Sequence, residues 1–362
     1  MRPKDNHILA LNVGSTSIKS RVFRVGKNQL REVFAWSRAG ISPKEGHHRS
    51  FVQLFSDLEK EKLDAKITEV GHRVVHGGPL KQSVKIGRKE IAVIEKFSEL
   101  APLHNPYNLE GIREAQKWFG KNVNQVAVFD TAFYTRLPRR ASVYAIPVGL
   151  ARKHNLYRYG FHGISHNYSS QEAARRLNKP VTRLKLITVH LGGGSSITAI
   201  RHGVAIDTSM GFTPLEGLVM GTRSGDIDPG IIFYLAEKAK LNLKQIKDIL
   251  VNQSGILGLS GSKNMLDLLK KIRGNNPAAK LGYEIFVYRI QKYIGAYTAI
   301  LGNCDAIVFT GAVGAGDELT KNKVAAGLRP FLSKKTRVIS VKPNEEKMIA
   351  LETLRVAVKN NK

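Results

Sequence analysis

Short hydrophobic runs alternate with longer amphipathic stretches along most of the chain. The runs are rich in Val, Ile and Phe, which favour strands, and the stretches between them have the spacing of helices. Strands that alternate with helices are typical of an architecture in which helices cover the faces of a sheet. The pattern therefore predicts an α/β fold.

Two segments about half a chain apart share one pattern of strand, tight turn and second strand. They occupy residues 8–23 and 186–200, and each turn is built from Gly and Ser. Two similar β-hairpins at this separation indicate two related domains. The length of 362 residues also suits two domains at about 150 residues each. The predicted domains are residues 1–132 with 344–362, and residues 133–343.

A weakly polar stretch, residues 297–316, is the longest candidate for a membrane span. It contains Asn303, Asp305 and several glycines, so we interpret it as a buried helix followed by a buried strand at 306–309. A glycine-rich turn follows that strand. Further along, Asn344 precedes two glutamates and a helical pattern, which predicts that its side chain caps a helix.

The composition indicates a globular protein of a reducing compartment. Hydrophobic residues make up 42%, which is enough to bury a full core. The single cysteine, Cys304, excludes a disulfide framework. No basic-then-apolar signal opens the sequence, because Arg2, Lys4 and Asp5 lead directly into a strand-like run. We therefore expect a cytoplasmic protein.

The formal net charge of +28 raises the question of an anionic partner. Such a field attracts nucleic acid and anionic lipid, and it also speeds the arrival of small anionic substrates. The lysines and arginines are spread along the whole chain, without an aromatic-rich RNA-binding signature or a zinc finger. We expect incidental, salt-sensitive binding to polyanions, and no dedicated nucleic-acid or membrane partner.

Both hairpin turns carry residues that suit phosphate binding. Phosphate requires free backbone N–H groups, small side chains that allow close approach, and fixed positive charge. The first turn offers Ser15, Ser17 and Lys19, although an ordinary β-turn also favours small polar residues. The second has His190 and the three glycines 192–194, whose entropic cost a simple turn does not require. Neither spacing matches a Walker A motif or a dinucleotide fingerprint.

Other polar side chains follow strands or lie on constrained loops. Arg73 lies on a strand that ends in paired glycines, where a guanidinium could bind a carboxylate or phosphate; a surface arginine is the alternative. Asp130 follows an apolar strand, where carboxylates commonly line the crevice of α/β proteins, although it could also cap the next helix. His104 lies on a rigid, proline-containing loop between them.

Two glycine-bracketed loops carry His162 with His166, and Arg223. Histidines four residues apart can bind a metal, but no Glu lies between these two and Cys304 is remote in sequence, which disfavours zinc. An imidazole that donates a hydrogen bond to phosphate fits this loop better. The arginine of the second loop can reach a transferring phosphoryl group and neutralise its charge.

Taken in order, these segments resemble the acetate kinases from Ile8 to about Leu351, which is nearly the whole chain. Several of the strings are specific to that family among short-chain acid kinases. The matching strings are Asn-x-Gly-Ser-x-Ser-x-Lys, His-Arg-Val-Val-His-Gly-Gly, Ala-Pro-Leu-His-Asn-Pro, Phe-Asp-Thr-Ala-Phe, Tyr-Gly-Phe-His-Gly-x-Ser-His, Asp-Thr-Ser-Met-Gly-Phe-Thr-Pro-Leu-Glu-Gly and Gly-Thr-Arg-Ser-Gly-Asp-x-Asp-Pro.

The resemblance implies a two-domain, actin-like or ribonuclease H-like ATPase fold with a mixed five-stranded sheet in each domain. It also implies reversible, Mg²⁺-dependent (or Mn²⁺-dependent) in-line phosphoryl transfer from ATP to acetate, giving acetyl phosphate and ADP, by a homodimer. Asp130 would polarise the acid or help to hold the metal. Arg73 and Arg223 would bind the acid and the transferring phosphoryl group, to which His162 would donate a hydrogen bond.

The same resemblance implies three groups of binding residues. Asn12 and Glu345 would lie near the metal, directly or through water. The acid would meet Arg73, Val75, Leu103, His104, Phe161 and Pro214. The nucleotide would meet Ser15, Ser17, Lys19, His190, Gly192, Gly193, Gly194, Asn264, Gly311 and Gly314.

The sequence departs from the family where the nucleoside would bind. Position 193 is Gly where the family usually has Asn, as in some butyrate-type relatives. The segment 260–266 has Asn264 and Leu266 in place of the family's Asp and Arg, with one residue deleted. Residues 311–317 replace the usual Gly-Ile-Gly-Glu-Asn with Gly-Ala-Val-Gly-Ala-Gly-Asp.

These departures leave three alternatives for the donor and the activity. The protein uses ATP held mainly through its phosphates, uses another nucleotide or pyrophosphate, or has lost activity and serves as a basic binding or scaffold protein. A related butyrate or propionate kinase is the alternative for the acid. We favour ATP and acetate, because the phosphate turn, Lys19 and the small apolar pocket residues are retained.

Overall fold

The computed structural model describes residues 6–27, 29–42, 46–102, 104–262 and 264–359. Its strands are β1 (His7–Val13), β2 (Ser17–Val25), β3 (Leu30–Ala39), β4 (Ile67–Val74), β5 (Val84–Lys85), β6 (Asn124–Phe129), β7 (Lys185–Leu191), β8 (Ser195–Arg201), β9 (Val204–Thr208), β10 (Ala306–Thr310) and β11 (Arg337–Ser340). Its helices are α1 (His48–Lys60), α2 (Arg88–Lys96), α3 (Asn105–Phe119), α4 (Arg139–Ser142), α5 (Val148–His154), α6 (Gly163–Arg176), α7 (Gly230–Glu237), α8 (Leu243–Asp248), α9 (Gly255–Ser260), α10 (Met265–Arg273), α11 (Pro277–Leu301), α12 (Gly311–Gly314), α13 (Glu318–Leu328) and α14 (Glu345–Lys359).

The chain forms two compact units. The first contains Met1–Thr135, His162–Ile164 and Asn344–Lys362, and the second contains Arg136–Phe161 and Ser165–Pro343. The domain division proposed from the sequence stays a prediction. The two units differ from that division in one further feature, because His162 and the first two residues of α6 belong to the first unit.

The first unit is built on a mixed sheet with the strand order β3-β2-β1-β4-β6-β5. β1 pairs with β2 as the predicted antiparallel hairpin, whereas β1, β4 and β6 run parallel to one another. This sheet has six strands rather than the expected five, because Val84–Lys85 adds a short antiparallel strand beside β6. Two residues are too few to show a period-2 pattern, so the sequence does not predict this strand.

Helix α14 covers one face of that sheet at close range. A Cβ on Gly71 of β4 would lie 2.8 Å from Cγ2 of Ile349 and would collide with Thr353. Glycine at this position therefore lets α14 approach the strand. The helix begins after Asn344, whose Oδ1 accepts the Lys347 N–H at 3.0 Å, which confirms the predicted cap.

The second unit contains a five-stranded mixed sheet with the order β11-β10-β7-β8-β9. β7 and β8 form the second predicted hairpin, and β10 is the buried strand expected at 306–309. The buried helix before it is α11, which contributes Phe286, Ile290 and Ile294 to a core with the sheet. The predicted α/β class is thus confirmed. Across the described parts of the chain, no helix combines the length and apolarity needed to cross a bilayer.

Candidate active site

The first unit brings Arg73 and Asp130 into direct contact. Arg73 lies near the end of β4, and Asp130 directly follows β6, its parallel neighbour. The Asp130 Oδ2 accepts hydrogen bonds from Nε and Nη2 of Arg73 at 3.1 and 2.7 Å. Its Oδ1 accepts the backbone N–H of Ile164 at 3.3 Å, in the first turn of α6. The carboxylate therefore binds a guanidinium and also accepts a hydrogen bond from the first turn of α6, which is not the next helix along the chain. Its predicted place in a binding crevice stays a prediction.

Asn12 connects this ion pair to the start of α14. Its Oδ1 accepts Nη1 of Arg73 at 3.1 Å. Its Nδ2 donates to Oε2 of Glu345 and to Oε1 of Glu346, both at 2.9 Å. Because β1, β4 and β6 are adjacent and parallel, their carboxyl ends lie at one edge of the sheet, where open α/β sheets bind ligands.

Burial and charge act on the ionisation of this network. Burial raises the pKa of Asp130, whereas the charge and hydrogen bonds of Arg73 oppose that rise. For Arg73, burial acts to lower the pKa, but the carboxylates of Asp130 and Glu345 outweigh it and hold the pKa above its usual value. The guanidinium is therefore a permanent cation at the strand ends.

The loop before α6 has a constrained backbone. His162 has φ +56°, in the left-handed region that non-glycine residues rarely adopt. At the next residue, Gly163, a Cβ would collide with the carbonyl oxygen of Asp130 and lie 2.8 Å from Cβ of Phe133. Such strained residues tend to occur at functional sites, where the surrounding structure holds them.

The predicted acid-pocket residues are distributed over both units. Val75 is buried in the first unit, where its N–H donates to Oδ1 of Asn108 at 3.1 Å. His104 precedes α3, and its N–H donates to the Ala101 carbonyl at 3.0 Å. Leu103 lies outside the described residues. The other two residues predicted for the acid pocket, Phe161 and Pro214, belong to the second unit.

Arg223 is held inside the second unit by a backbone carbonyl. Its Nη1 donates to the Pro214 carbonyl at 3.0 Å. Burial lowers the pKa of Arg223, and among the residues that the structure describes no carboxylate forms an ion pair with it. Gly255 has φ +62°, and a Cβ on this residue would lie 2.7 Å from the carbonyl oxygen of Arg223. A partly buried guanidinium that forms no ion pair with any described carboxylate is suited to binding an anion.

The predicted nucleotide-binding turns of the second unit lie on neighbouring strands. His190 near the end of β7 pairs with Thr310 at the end of β10, so Gly192–Gly194 and Gly311 follow strands that end at the same edge. His190 Nδ1 lies 2.8 Å from Ser165 Oγ. At Gly311, with φ +83°, a Cβ would collide with the Leu191 carbonyl oxygen. Gly314 lies at the end of α12 and is buried.

Two other predicted residues have clear structural roles. Asn264 caps α10, because its Oδ1 accepts the Asp267 N–H at 2.9 Å. His166 is buried between two hydroxyl groups, with Nδ1 2.7 Å from Thr188 Oγ1 and Nε2 2.8 Å from Ser196 Oγ. Burial lowers the pKa of His166 well below its usual value, so the ring is neutral. Both of its nitrogens are engaged, which leaves neither to bind zinc.

The phosphate turn of the first unit is a tight hairpin. The Gly14 N–H donates to the Ser17 carbonyl at 2.8 Å, and Ser15 lies within the turn. Lys19 is exposed and pairs directly across from Asn12, so the two side chains project from the same face of the sheet.

Several residues of these networks were not singled out from the sequence. Glu346 is one of the two glutamates that follow Asn344, but only the fold shows that it contacts Asn12. Tyr144, Arg158 and Glu216 form a partly buried cluster in the second unit. The signal for Glu216 was present in the string Asp-Thr-Ser-Met-Gly-Phe-Thr-Pro-Leu-Glu-Gly, whereas no local pattern marks the other two.

The sequence model of the acetokinase family matches residues 7–358. The chain belongs to the acetokinase family. One relative of this acetokinase is the acetate kinase of Halothermothrix orenii. The two sequences are 41% identical over 395 residues, which cover 96% of this chain and 99% of that protein.

Solved structures agree with the family and the fold. A propionate kinase from Francisella tularensis matches with a TM-score of 0.86 and 36% identity, covering 97% of this acetokinase and 100% of that chain. An acetate kinase from Porphyromonas gingivalis matches with a TM-score of 0.85 and 34% identity, with the same coverage.

Proposed function

We propose that this acetokinase is an acetate kinase that reversibly transfers a phosphoryl group from ATP to acetate, giving acetyl phosphate and ADP. Family membership makes the protein a phosphotransferase with a carboxyl group as acceptor. The observation that carries the proposal is the network of Asn12, Arg73, Asp130 and Glu345 at the carboxyl ends of parallel strands.

The catalytic roles follow from the charge that phosphoryl transfer spreads over oxygen atoms. A loose transition state requires alignment and charge stabilisation more than covalent help. Arg73 is a permanent cation that binds the acid, and Asp130 fixes the direction of its guanidinium. Arg223, which forms no ion pair with a carboxylate in the part of the chain that the structure describes, supplies a cation for the transferring phosphoryl group. His162 donates a hydrogen bond to the same group.

Backbone groups and small residues bind the nucleotide phosphates. Lys19, Ser15 and Ser17 contribute from the first hairpin, and His190 with Gly192, Gly193 and Gly194 contributes from the second. Gly311 and Gly314 contribute from the turn after β10. The Asn264 Oδ1 is used as a helix cap, which supports a nucleoside site that relies on packing more than on side-chain hydrogen bonds.

The residues proposed for the metal fit Mg²⁺ or Mn²⁺. Asn12 and Glu345 offer side-chain oxygens as ligands, and the 2.9 Å hydrogen bond from Nδ2 of Asn12 to Oε2 of Glu345 keeps the two side chains together. Among the described residues there is no group of three or more His, Cys, Asp or Glu that could hold a metal. Mg²⁺ normally uses one or two carboxylates together with waters and substrate phosphates, so such a group is not required. When bound, the ion would neutralise phosphate charge.

The acid and the donor are tested with one panel. Acyl phosphates react with hydroxylamine, so acetate, propionate and butyrate are each combined with ATP, GTP or pyrophosphate and the hydroxamate is measured. We expect the highest kcat/KM for acetate with ATP. A single methylene changes binding by only about 1–3 kcal/mol, so a longer acid could react more slowly without being excluded.

Other outcomes of this panel have definite meanings. A higher kcat/KM for propionate would instead make the protein a propionate kinase, the activity named for the Francisella tularensis structure. A higher kcat/KM with pyrophosphate than with ATP would identify pyrophosphate as the phosphoryl donor. Absence of hydroxamate with every donor would contradict the proposal and favour a basic scaffold protein. A cytoplasmic homodimer completes the proposal, and sedimentation of the purified chain tests the dimer.

A further inference from the structure

Glu216 lies at the centre of a hydrogen-bonded cluster in the second unit. The Tyr144 hydroxyl donates to its Oε2 at 2.5 Å, and Nη2 of Arg158 donates to its Oε1 at 2.6 Å. The rest of the Arg158 guanidinium donates to the carbonyls of Ala141 and Thr208, both at 3.1 Å. The guanidinium also lies 5.4 Å from the centre of the Tyr144 ring.

The cluster requires a carboxylate at position 216. The Tyr144 hydroxyl oxygen accepts the Phe212 N–H at 2.8 Å, so the hydroxyl proton points to Glu216. Burial raises the pKa of Tyr144 above its usual value, which keeps that proton in place. Both neighbours of Glu216 are therefore donors. Glutamine would face one of them with an NH₂ group and leave a partly buried donor unsatisfied.

The main chain beside the cluster is packed too closely to shift without losing these contacts. A Cβ on Gly211 would collide with the Tyr144 hydroxyl and lie 2.7 Å from Cδ of Glu216. The Gly211 carbonyl accepts the Tyr159 N–H at 3.0 Å. One side of the segment 211–217 is thereby fixed to Tyr144 and Arg158.

The same segment carries the carbonyl that orients Arg223. Pro214 lies between the fixed residues Phe212 and Glu216, and its carbonyl accepts Nη1 of Arg223 at 3.0 Å. On the other side, the Gly217 N–H donates to Oδ1 of Asp226 at 2.8 Å. Displacing Glu216 would therefore move the Pro214 carbonyl, and Nη1 of Arg223 would lose this acceptor while it keeps the weaker contact with Sδ of Met220 at 3.5 Å.

We propose that Glu216 is a positioning residue for Arg223, which it acts on through the Pro214 carbonyl. This inference rests on the proposed function, in which Arg223 binds the transferring phosphoryl group. It assigns the cluster of Tyr144, Arg158 and Glu216 to turnover rather than to the binding of ATP.

The test is a double-mutant cycle on kcat, measured by hydroxamate formation from acetate and ATP. Glu216→Gln should lower kcat about tenfold to a hundredfold, since displacement of a catalytic group by about 1 Å has effects of this size. KM for ATP should change less than about threefold. In an Arg223→Ala background, Glu216→Gln should lower kcat less than about twofold, because the group that it positions is gone.

Two further variants keep the test decisive. Tyr144→Phe leaves the ion pair of Glu216 with Arg158 intact and serves as the test if Glu216→Gln folds poorly. It too should lower kcat when Arg223 is present and change kcat little in the Arg223→Ala background. Glu172→Gln removes another Glu–Arg pair of the second unit, an exposed one on α6, and should retain the parent kcat. The inference would be overturned if Glu216→Gln lowered kcat by the same factor with and without Arg223. It would also be overturned by a kcat for Glu216→Gln within twofold of the parent. Absence of hydroxamate from the parent protein would instead overturn the proposed function.

Discussion

Acidification should weaken the first unit, because two of its buried histidines are held neutral. Nε2 of His72 lies 2.5 Å from the Gln125 Oε1, and its buried Nδ1 has no hydrogen-bond partner among the described residues. Nδ1 of His76 accepts the Gly78 N–H at 3.0 Å, and the ring stacks on Phe97. Burial lowers the pKa of both His72 and His76 from 6.5 to about 4.

The size of the effect follows from proton linkage. The unfolded chain binds a proton at each histidine below about pH 6.5, whereas the folded chain does so only below about pH 4. The free energy of unfolding therefore decreases as the pH is lowered from about 6.5 to about 4. Each ring can cost about 3 kcal/mol over the full window, at about 1.4 kcal/mol per pH unit. Between pH 7 and pH 5 the two rings together should cost about 4 kcal/mol, a large part of a typical stability of about 5–15 kcal/mol.

Urea unfolding at pH 7, 6 and 5 measures this loss. In His72→Gln, the decrease in the free energy of unfolding between pH 7 and pH 5 should be about 2 kcal/mol smaller than in the parent, whatever the stability of the variant at pH 7. His154→Gln, at an exposed position at the end of α5, is the matched control and should retain the parent dependence. A parent loss below about 1 kcal/mol, or an unchanged loss in His72→Gln, would refute the reasoning.

Three further outcomes are expected. Gly163→Ala should lower the free energy of unfolding by about 2–3 kcal/mol in urea titrations, because its Cβ would collide with backbone; Gly149→Ala, where a Cβ meets nothing within 4 Å, is the control. Arg73→Ala and Arg223→Ala should each lower kcat at least about a hundredfold, since donors to the transition state are lost, and near-parental rates would contradict their roles. Because the net charge is +28, kcat/KM for ATP should fall several-fold from low to high salt in steady-state assays, and a constant value would argue against steering.

Local patterns in the sequence predict local structure well in this protein. The hairpin turns at 14–17 and 192–194 follow from runs of Gly and Ser between alternating strands. The cap at Asn344 follows from the residues beside it. In each case the residues that cause the structure are adjacent in sequence, so their spacing is visible before folding.

Contacts across large separations are not visible in this way. Glu216 is 58 residues from Arg158 and 72 from Tyr144, and it carries no periodic signal. The family string identifies the segment that contains it, but only the fold shows that it contacts Tyr144 and Arg158. Asn264 caps α10 through its Oδ1, a local role that was not expected from its sequence, and its contact with the nucleoside stays a prediction.

The most direct test of the account is to follow the phosphorus atom. In ³¹P NMR of the purified protein with acetate, Mg²⁺ and ATP, an acyl phosphate signal should grow together with ADP in equal amounts. Arg73→Ala should show this growth at least about a hundredfold more slowly. Formation of ADP with inorganic phosphate and no acyl phosphate, or no consumption of ATP, would contradict a carboxylate acceptor bound at the ends of β1, β4 and β6.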